Sequence, residues 1–98
     1  MSVKTFKLRP KAEEDLENIY QYSIEHWGNT RADEYIREIS TAFLTLAENP
    51  LLGRDCSDIR PEFRAFTVAS HVVFYKPSNS GVAVVRVLHQ SMDCQKYF

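Results

Sequence analysis

The sequence predicts an α+β domain in the order β-α-α-β-β-β, with an antiparallel helical hairpin packed on a small, mainly antiparallel sheet. Three observations predict this fold. Two stretches with apolar residues at helical spacing follow each other in the first half of the chain, separated only by Gly28. The second half consists of short runs rich in β-branched and aromatic residues, divided by turn residues. A chain of 98 residues is long enough for one hydrophobic core, so we expect a single domain over residues 1–98.

The composition is that of an ordinary globular protein, with 44% hydrophobic residues, 26% charged residues and a net charge of −1. Acidic side chains outnumber basic ones in residues 1–48, and the reverse holds in residues 49–98. This difference is too small to indicate a nucleic-acid-binding protein. No apolar run approaches the ~20 residues of a membrane span, and the N-terminus lacks the layout of a secretion signal. We therefore expect a cytoplasmic protein without a membrane partner.

The cysteines and histidines are too few and too dispersed to indicate a cofactor. Cys56 and Cys94 do not make a disulfide framework or a Cys-x-x-Cys redox site. His26, His71 and His89 lack the spacing of zinc ligands. We expect reduced cysteines, no metal and no cofactor.

The first strand is predicted over residues 3–8, where apolar and polar side chains alternate. Pro10 can start the first helix, because the N–H that proline lacks has no partner at that position. Gly28 is typical of a helix end. One side of this helix is apolar and is interpreted as core: Ala12, Leu16, Ile19, Tyr20, Ser23 and Trp27.

The second helix is predicted to begin at Asn29 and Thr30. Asp33 follows Thr30 in an arrangement close to a capping box. An apolar stripe at helical spacing continues until Asn49 and Pro50, which end the helix. Because only a glycine and a cap separate two long helices, they must run antiparallel as a hairpin.

The rest of the chain is predicted to form a meander of three antiparallel strands, over residues 63–68, 72–76 and 82–89. Residues 77–81 form the second turn. Residues 51–62 have no hydrophobic period and are interpreted as a structured loop.

Three polar side chains interrupt these apolar strands: Arg64, Arg86 and His89. In a meander the two arginines can lie near each other, and two guanidinium groups on one sheet face would suit a phosphate backbone or a carboxylate. Alternatively, each arginine pairs with an acidic side chain and braces the sheet. The acidic side chains considered are Asp58, Glu62 and Asp93. We expect His89 on the face opposite to Arg86, as a hydrogen-bonded residue at a strand end rather than a general base.

No motif with an established catalytic mechanism is present in the sequence. The chain lacks a glycine-rich phosphate loop, a Gly-x-Ser-x-Gly elbow and a His-x-x-x-His pair. The acidic run of the first helix is interpreted as a solvated surface. This run comprises Glu13, Glu14, Asp15 and Glu17. From the residues alone we predict no catalytic site.

Segments spread along the whole chain form a recognisable pattern. In the helical half they are LRPKAEEDL at 8–16, IYQYS at 19–23, WG at 27–28, ADEY at 32–35 and LAENP at 46–50. In the second half they are GR at 53–54, DIR at 58–60, Arg64, SHVVFY at 70–75 and VLHQSMD at 87–93. In this order the segments resemble the ParE branch of the RelE/ParE superfamily of bacterial toxins. Arg9 departs from the serine that more often caps the first helix in that family.

The resemblance implies the toxin of a type II toxin–antitoxin system, neutralised by a cognate antitoxin in a hetero-oligomeric complex. The ParE branch implies inhibition of DNA gyrase by non-catalytic binding, so that the protein is not an enzyme. The RelE branch implies ribosome-dependent cleavage of mRNA instead. A further alternative is an inactive chain that serves only as an antitoxin-binding module.

The residues can be weighed between the two branches. A RelE-like ribonuclease would use Arg64, Arg86 and His89 as its catalytic residues. However, the closely spaced lysines of RelE-like toxins are absent, and Asp93 stands near the position of their tyrosine. The net charge of −1 also suits a protein target better than ribosomal RNA. We therefore expect gyrase inhibition.

The resemblance also implies a surface for the antitoxin, whose C-terminal segment lies between the helical hairpin and the sheet in this family. Such a segment gains affinity from apolar anchors and from complementary charge. The residues expected on this surface are Leu51, Leu52, Phe66, Tyr97 and Phe98. The basic balance of residues 49–98 favours an acidic antitoxin tail.

Overall fold

The computed structural model describes residues 4–98 and confirms the predicted α+β class. The helices are α1 (Pro10–Trp27) and α2 (Asn29–Glu48). The strands are β1 (Thr5–Leu8), β2 (Arg54–Asp55), β3 (Arg64–Val68), β4 (His71–Ser78) and β5 (Gly81–His89). A 3-10 turn over Cys94–Tyr97 follows β5. Val3, which the prediction included in the first strand, lies outside the described residues.

The strands form one five-stranded sheet in the order β1-β5-β4-β3-β2. The predicted meander is confirmed, since β3, β4 and β5 pair antiparallel, and β1 runs parallel to β5. The prediction of a loop over residues 51–62 misses β2, a two-residue strand that pairs with β3. The predicted turn at 77–81 is too long, because pairing between β4 and β5 continues to Ser78 opposite Gly81.

The helical hairpin turns at Gly28. This residue has a φ of 87°, a left-handed conformation that favours glycine, and its N–H bonds to the carbonyl of Ile24 at 2.9 Å. The predicted capping box of α2 does not form, since no side chain caps this helix. Asp33 instead accepts a 2.6 Å hydrogen bond from the Tyr20 hydroxyl of α1. The side chain of Asp33 therefore ties the two helices together.

The hairpin covers one face of the sheet, which we call the helical face. Its buried core includes Ile19, Tyr35, Ile39, Phe43, Leu46, Val73, Tyr75, Val84 and Val87. The opposite face, here the outer face, is covered by the loop before β3 and by the C-terminal turn. Its cluster comprises Cys56, Ala65, Val72, Phe74 and Leu88, with Ile59, Phe63, Cys94 and Phe98 packed against it.

The prediction that Trp27 belongs to the core is wrong, because 52% of its surface is exposed. Trp27 is the last residue of α1, and its ring meets the edges of Tyr22 and Tyr35 at centroid distances of 6.3 and 6.0 Å. Trp27 lies at the end of the helix, so the helical period alone overstates its burial.

Candidate functional site

A groove runs between α1 and the end of β5. Because β1 pairs only with residues 81–84, no other strand among residues 4–98 pairs with that edge of β5 beyond Val84. Helix α1 lies alongside this open edge. The groove has a volume of about 540 Å³, and its lining includes Ile19, Tyr22, Trp27, His71, His89 and Met92.

Arg86 is held beside this groove by Asp15 of α1. Its Nε and Nη2 donate hydrogen bonds of 2.8 and 2.7 Å to the two carboxylate oxygens. The two side chains are nearly buried, with 13% and 12% exposed, and the hydrogen bonds that Arg86 donates to Asp15 raise the pKa of Arg86. The same carboxylate accepts the N–H of Val87 at 2.9 Å, so it also covers a backbone donor of the open edge. Arg86 is therefore a fixed brace between helix and sheet.

The interpretation of Arg86 as a residue paired with an acid is thus confirmed, but the acidic partner was not foreseen. Two of the three acids proposed from the sequence have other contacts in the structure. Glu62 lies 3.7 Å from Lys76, and Asp93 accepts the N–H of Gln95 at 3.2 Å in the C-terminal turn. The partner is Asp15, which the sequence had indicated to be a solvated charge.

Arg64 and Arg86 do not share a sheet face, so the predicted pair of guanidinium groups on one face is wrong. Arg64 lies opposite Tyr75 and Arg86 opposite Phe74, and consecutive residues of a strand point to opposite faces. Arg64 donates one bond of 3.4 Å to the carbonyl of Leu51. Its buried Nε has no hydrogen-bond partner within residues 4–98.

His71 and His89 are cross-strand neighbours on the helical face, with ring centroids 5.3 Å apart and ring planes nearly perpendicular. The Tyr35 hydroxyl lies 2.6 Å from Nδ1 of His71 and accepts the N–H of Ser70 at 3.3 Å. Burial, and then the neighbouring His89, lowers the pKa of His71 to about 4. The His71 imidazole is therefore neutral at physiological pH.

His89 closes the end of β5. Its Nδ1 lies 2.7 Å from the Ser91 hydroxyl and accepts the Ser91 N–H at 3.1 Å. As predicted, it lies on the face opposite to Arg86 and is hydrogen-bonded at a strand end. Arg86 and His89 both line the groove, but Arg64 lies outside it, beside a second cavity near β2. The three polar residues of the sequence analysis therefore do not converge on one site.

The residues expected to contact an antitoxin also occupy separate places. Leu51 and Leu52 are 72% and 51% exposed in the loop between α2 and β2. Phe66 packs against the core of the helical face, and Phe98 packs against the cluster of the outer face. The Tyr97 ring lies 5.4 Å from the Arg86 guanidinium. Of these residues, the two leucines present the largest free apolar surface.

The loop that carries the two leucines is fixed by Tyr75, which is wholly buried. Its hydroxyl donates to the carbonyl of Pro50 and accepts the N–H of Gly53, both at 2.8 Å. A Cβ atom at Gly53 would lie 2.6 Å from that hydroxyl, so the contact requires glycine. The buried Tyr75 thus holds the backbone on both sides of the exposed Leu51 and Leu52.

Comparison with known proteins agrees with this architecture. Residues 6–94 match the family model described as ParE toxin of type II toxin-antitoxin system, parDE. The chain belongs to the ParE toxin family. Toxin ParE1 of Mycobacterium tuberculosis is 40% identical over 92 residues, covering 93% of this chain and 94% of the relative. Toxin ParE1 of Caulobacter vibrioides is 36% identical over 95 residues, covering 97% and 98% of the two chains.

A solved structure with the ParE fold is also similar. It is titled as a chromosomal ParDE TA system from P. aeruginosa, and one of its chains superposes with a TM-score of 0.75 at 18% identity. The match covers 89% of this chain and 96% of that chain. At this identity the likeness concerns the fold alone, and the fold is that of two helices on a mixed five-stranded sheet.

Two further features bear on this ParE chain. Residues 4–98 contain no cluster of three or more His, Cys, Asp or Glu side chains able to hold a metal ion. In the same part of the chain, neither helix combines the length and the apolar character needed to cross a bilayer.

Sequence reasoning missed Asp15 as a groove residue and Tyr35 as the hydrogen-bond partner of His71. A signal for Asp15 was present, since it lies three residues after Ala12 and four before Ile19, on the buried stripe of α1. An acid at such a position needs a buried partner. Tyr35 gave no comparable signal, because a tyrosine on an apolar stripe is ordinary core.

Proposed function

We propose that this ParE-family toxin inhibits DNA gyrase by binding it without catalysis, in the cytoplasm, and that a cognate antitoxin neutralises it in a hetero-oligomeric complex. Membership in the ParE family supports the toxin–antitoxin assignment. The observation that supports non-catalytic binding is the nearly buried ion pair of Arg86 with Asp15. This pair neutralises the arginine that lines the groove.

A ribonuclease of the RelE type would need a group to activate the 2′-hydroxyl, a free cation for the phosphate and an acid for the leaving group. Arg86 is already neutralised by Asp15 at 2.7 Å. Arg64, the second arginine that such a ribonuclease would use, lies on the opposite face of the sheet. Of the three residues that a RelE-like ribonuclease would use, this leaves His89, which cannot supply all three roles. These observations support gyrase, rather than ribosome-bound mRNA, as the target.

The purified protein tests this proposal directly. We expect it to inhibit supercoiling of relaxed plasmid by gyrase and to accumulate cleaved DNA, while relaxation by a type I topoisomerase is unaffected. Messenger RNA on translating ribosomes should stay intact. Codon-dependent cleavage that Arg64→Ala abolishes would establish the ribonuclease instead. Normal growth after induction of the toxin alone would point to the inactive module.

For the antitoxin, we propose that Leu51 and Leu52 are contact residues. Both are exposed, and Tyr75 fixes their loop, so little loop entropy would be lost on binding. The test is co-purification with the product of the reading frame adjacent to the toxin gene. Leu52→Asp should weaken that complex by about tenfold or more. Leu44→Asp is the matched control, because Leu44 and Leu52 are each 51% exposed.

A further inference from the structure

Positive charge is concentrated where β1 meets α1. Residues 4–11 contain four of the twelve basic side chains of the chain, and all four are exposed. We call them the basic patch: Lys4, Lys7, Arg9 and Lys11. The ion pairs within residues 4–98 belong to other cations, namely Arg31, Lys76 and Arg86. The basic patch therefore has no ion-pair partner in this part of the chain.

The backbone of β1 places two of these cations on the same side of the sheet. Phe6 and Leu8 pack against the core of the helical face, and consecutive residues of a strand point to opposite faces, so Lys7 lies on the outer face. Arg9 continues in an extended conformation, with φ of −67° and ψ of 155°, and its N–H bonds to the Val84 carbonyl of β5 at 2.9 Å. Lys7 and Arg9 therefore point to the same side, about 6.6 Å apart along the chain.

The outer face beside β1 is open within the part of the chain that the structure describes. The cluster that covers the outer face draws its residues from the segment 56–98 and includes none from β1. Next to Lys7 in the register lies Ala83 of β5, which has only a methyl side chain. Beyond it lies Lys76, which is paired with the exposed Glu62 at 3.7 Å. This flat surface leaves room for a large partner against Lys7.

The start of α1 adds to the positive potential. Arg9 is the N-cap residue and its side chain makes no capping hydrogen bond, so the guanidinium is not tied to the helix. The N-terminus of a helix itself carries a partial positive charge. Asp15 is neutralised by Arg86 at 2.7 Å, and the exposed Glu13 and Glu14 form no ion pair with the basic patch within residues 4–98. The four cations therefore remain available to a partner.

This arrangement suits a polyanion with regularly repeated charges. A single exposed ion pair with a protein carboxylate contributes little to binding. In contrast, several lysine and arginine contacts to neighbouring phosphates release counterions together, and such contacts dominate the affinity of proteins for DNA. Extended backbone on an open sheet face can bring successive cations to one DNA strand. Gyrase supplies such a polyanion, because its substrate is DNA.

We propose that the basic patch contacts the phosphate backbone of the DNA segment held by gyrase. This inference rests on the proposed function, since the toxin meets this DNA while it is bound to gyrase. A chain with a net charge of −1 binds free DNA weakly. Binding to gyrase raises the local concentration of DNA at the basic patch, so that a few phosphate contacts become effective. The contact makes the toxin prefer gyrase that holds DNA over the free enzyme.

The test measures the affinity of the full toxin for immobilised gyrase, with and without a bound linear DNA duplex. We expect the wild type to bind the gyrase–DNA complex at least about tenfold more tightly than gyrase alone. The double variant Lys7→Glu/Arg9→Glu should bind gyrase alone as the wild type does and should lose the gain that the duplex provides. It should also require at least about tenfold more protein to inhibit supercoiling.

Arg54→Glu/Arg60→Glu is the matched control. Both arginines are exposed, they lie in β2 and in the loop after it, and the change in net charge is the same. This variant should keep the gain from the duplex, and circular dichroism checks that both double variants are folded. An equal loss in the control would mean a general effect of net charge and would overturn the assignment to the basic patch.

Salt dependence provides a second measurement. The gain from the duplex should fall as the salt concentration rises from about 50 to 200 mM, because counterions compete for the phosphates. The slope of log affinity for the gyrase–DNA complex against log salt should be smaller by about two in Lys7→Glu/Arg9→Glu than in the wild type. An identical slope in both proteins would contradict phosphate contacts by these two residues.

The remaining outcomes separate this inference from the proposed function. If the wild type binds gyrase equally well with and without the duplex, the DNA contact is wrong. If Lys7→Glu/Arg9→Glu binds gyrase alone more weakly than the wild type, the basic patch contacts the gyrase protein instead. Both results leave gyrase inhibition intact. A wild-type toxin that does not inhibit supercoiling at all would reject the proposed function itself.

Discussion

The arginines at the two edges of the sheet differ in their hydrogen-bond partners. At the β5 edge, Arg86 makes two bonds to Asp15 and both side chains are nearly buried. At the β2–β3 edge, Arg64 has one long bond to the Leu51 carbonyl and a buried Nε without a partner among residues 4–98. Its cross-strand neighbour Asp55 is bound instead to the Ser57 N–H at 2.8 Å.

This difference separates two kinds of edge. The β5 edge is structural, because Arg86 braces it against α1, and the β2–β3 edge is a presenting edge, because Leu51 and Leu52 are exposed beside it. Where α1 covers the strand, desolvation of a guanidinium requires a carboxylate, and the pair then fixes the helix on the sheet. At the β2–β3 edge the Arg64 guanidinium has only one long bond within residues 4–98, to the Leu51 carbonyl, and the loop that contains this carbonyl exposes Leu51 and Leu52. The same residue type in two neighbouring strands therefore has two different roles.

Breaking the ion pair should give the largest effect. Asp15→Ala leaves a buried guanidinium and the Val87 N–H without acceptors, and we expect it to lower the free energy of unfolding by about 3–4 kcal/mol. Urea denaturation followed by circular dichroism measures this. Glu17→Ala, an exposed change on the same helix, should cost under about 0.5 kcal/mol. A loss below about 1 kcal/mol for Asp15→Ala would contradict the role of Arg86 as a brace.

Removing the Tyr75 hydroxyl tests how the presenting edge is fixed. Tyr75→Phe should lower the free energy of unfolding by about 1–2 kcal/mol, because the Gly53 N–H and the Pro50 carbonyl lose their partner inside the protein. Hydrogen exchange at Gly53 should accelerate, while exchange in α1 should not. Tyr22→Phe, at a tyrosine that is 56% exposed, is the control and should have no effect. Unchanged protection at Gly53 would show that the loop is held by other contacts.

Acid should weaken the β5 edge through His71. The folded protein lowers the pKa of His71 from 6.5 to about 4, so between these values the unfolded chain binds a proton that the folded protein excludes. Stability should therefore fall as the pH drops from 6.5 to 4, and level off below that for this group. We expect a loss of about 1–2 kcal/mol, allowing for the partial exposure of the ring. Denaturation at pH 7 and 4.5 should show a shallower fall in His71→Gln than in His26→Gln.

The smallest effect on the free energy of unfolding is expected at Arg64, the arginine of the β2–β3 edge. Arg64→Ala should change the free energy of unfolding by under about 1 kcal/mol, because it removes one long hydrogen bond and no ion pair. Denaturation beside Asp15→Ala measures the contrast between the two edges. A cost equal to that of Asp15→Ala would mean that both arginines are structural, and the distinction between the edges would fail.

Much of the fold could be predicted from local signals. Pro10 and Gly28 mark the ends of α1, and the apolar stripe of α2 ends before Asn49, close to the observed limits. Strands β3, β4 and β5 were found because short runs rich in β-branched and aromatic residues lie between turn residues. Strand β2 could not be found, since two residues carry no period and its pairing depends on β3. The capping box at Thr30 failed because α2 begins at Asn29, so that Thr30 lies inside the first turn and not at the N-cap, while Asp33 binds Tyr20 of the neighbouring helix.

The sequence by itself determined the class of the fold, the hairpin and the family, because periodicity, turn residues and ordered motifs are local properties of the chain. Only the tertiary structure decided which acid neutralises Arg86, that Arg64 lies on the other face, and that two histidines meet at the end of an open strand. Asp15 and Arg86 are 71 residues apart, and their contact follows from the register of β5 against β4 and from the position of α1. A one-residue change in that register would send Arg86 to the other face, and such long-range alignment is not encoded in any short segment.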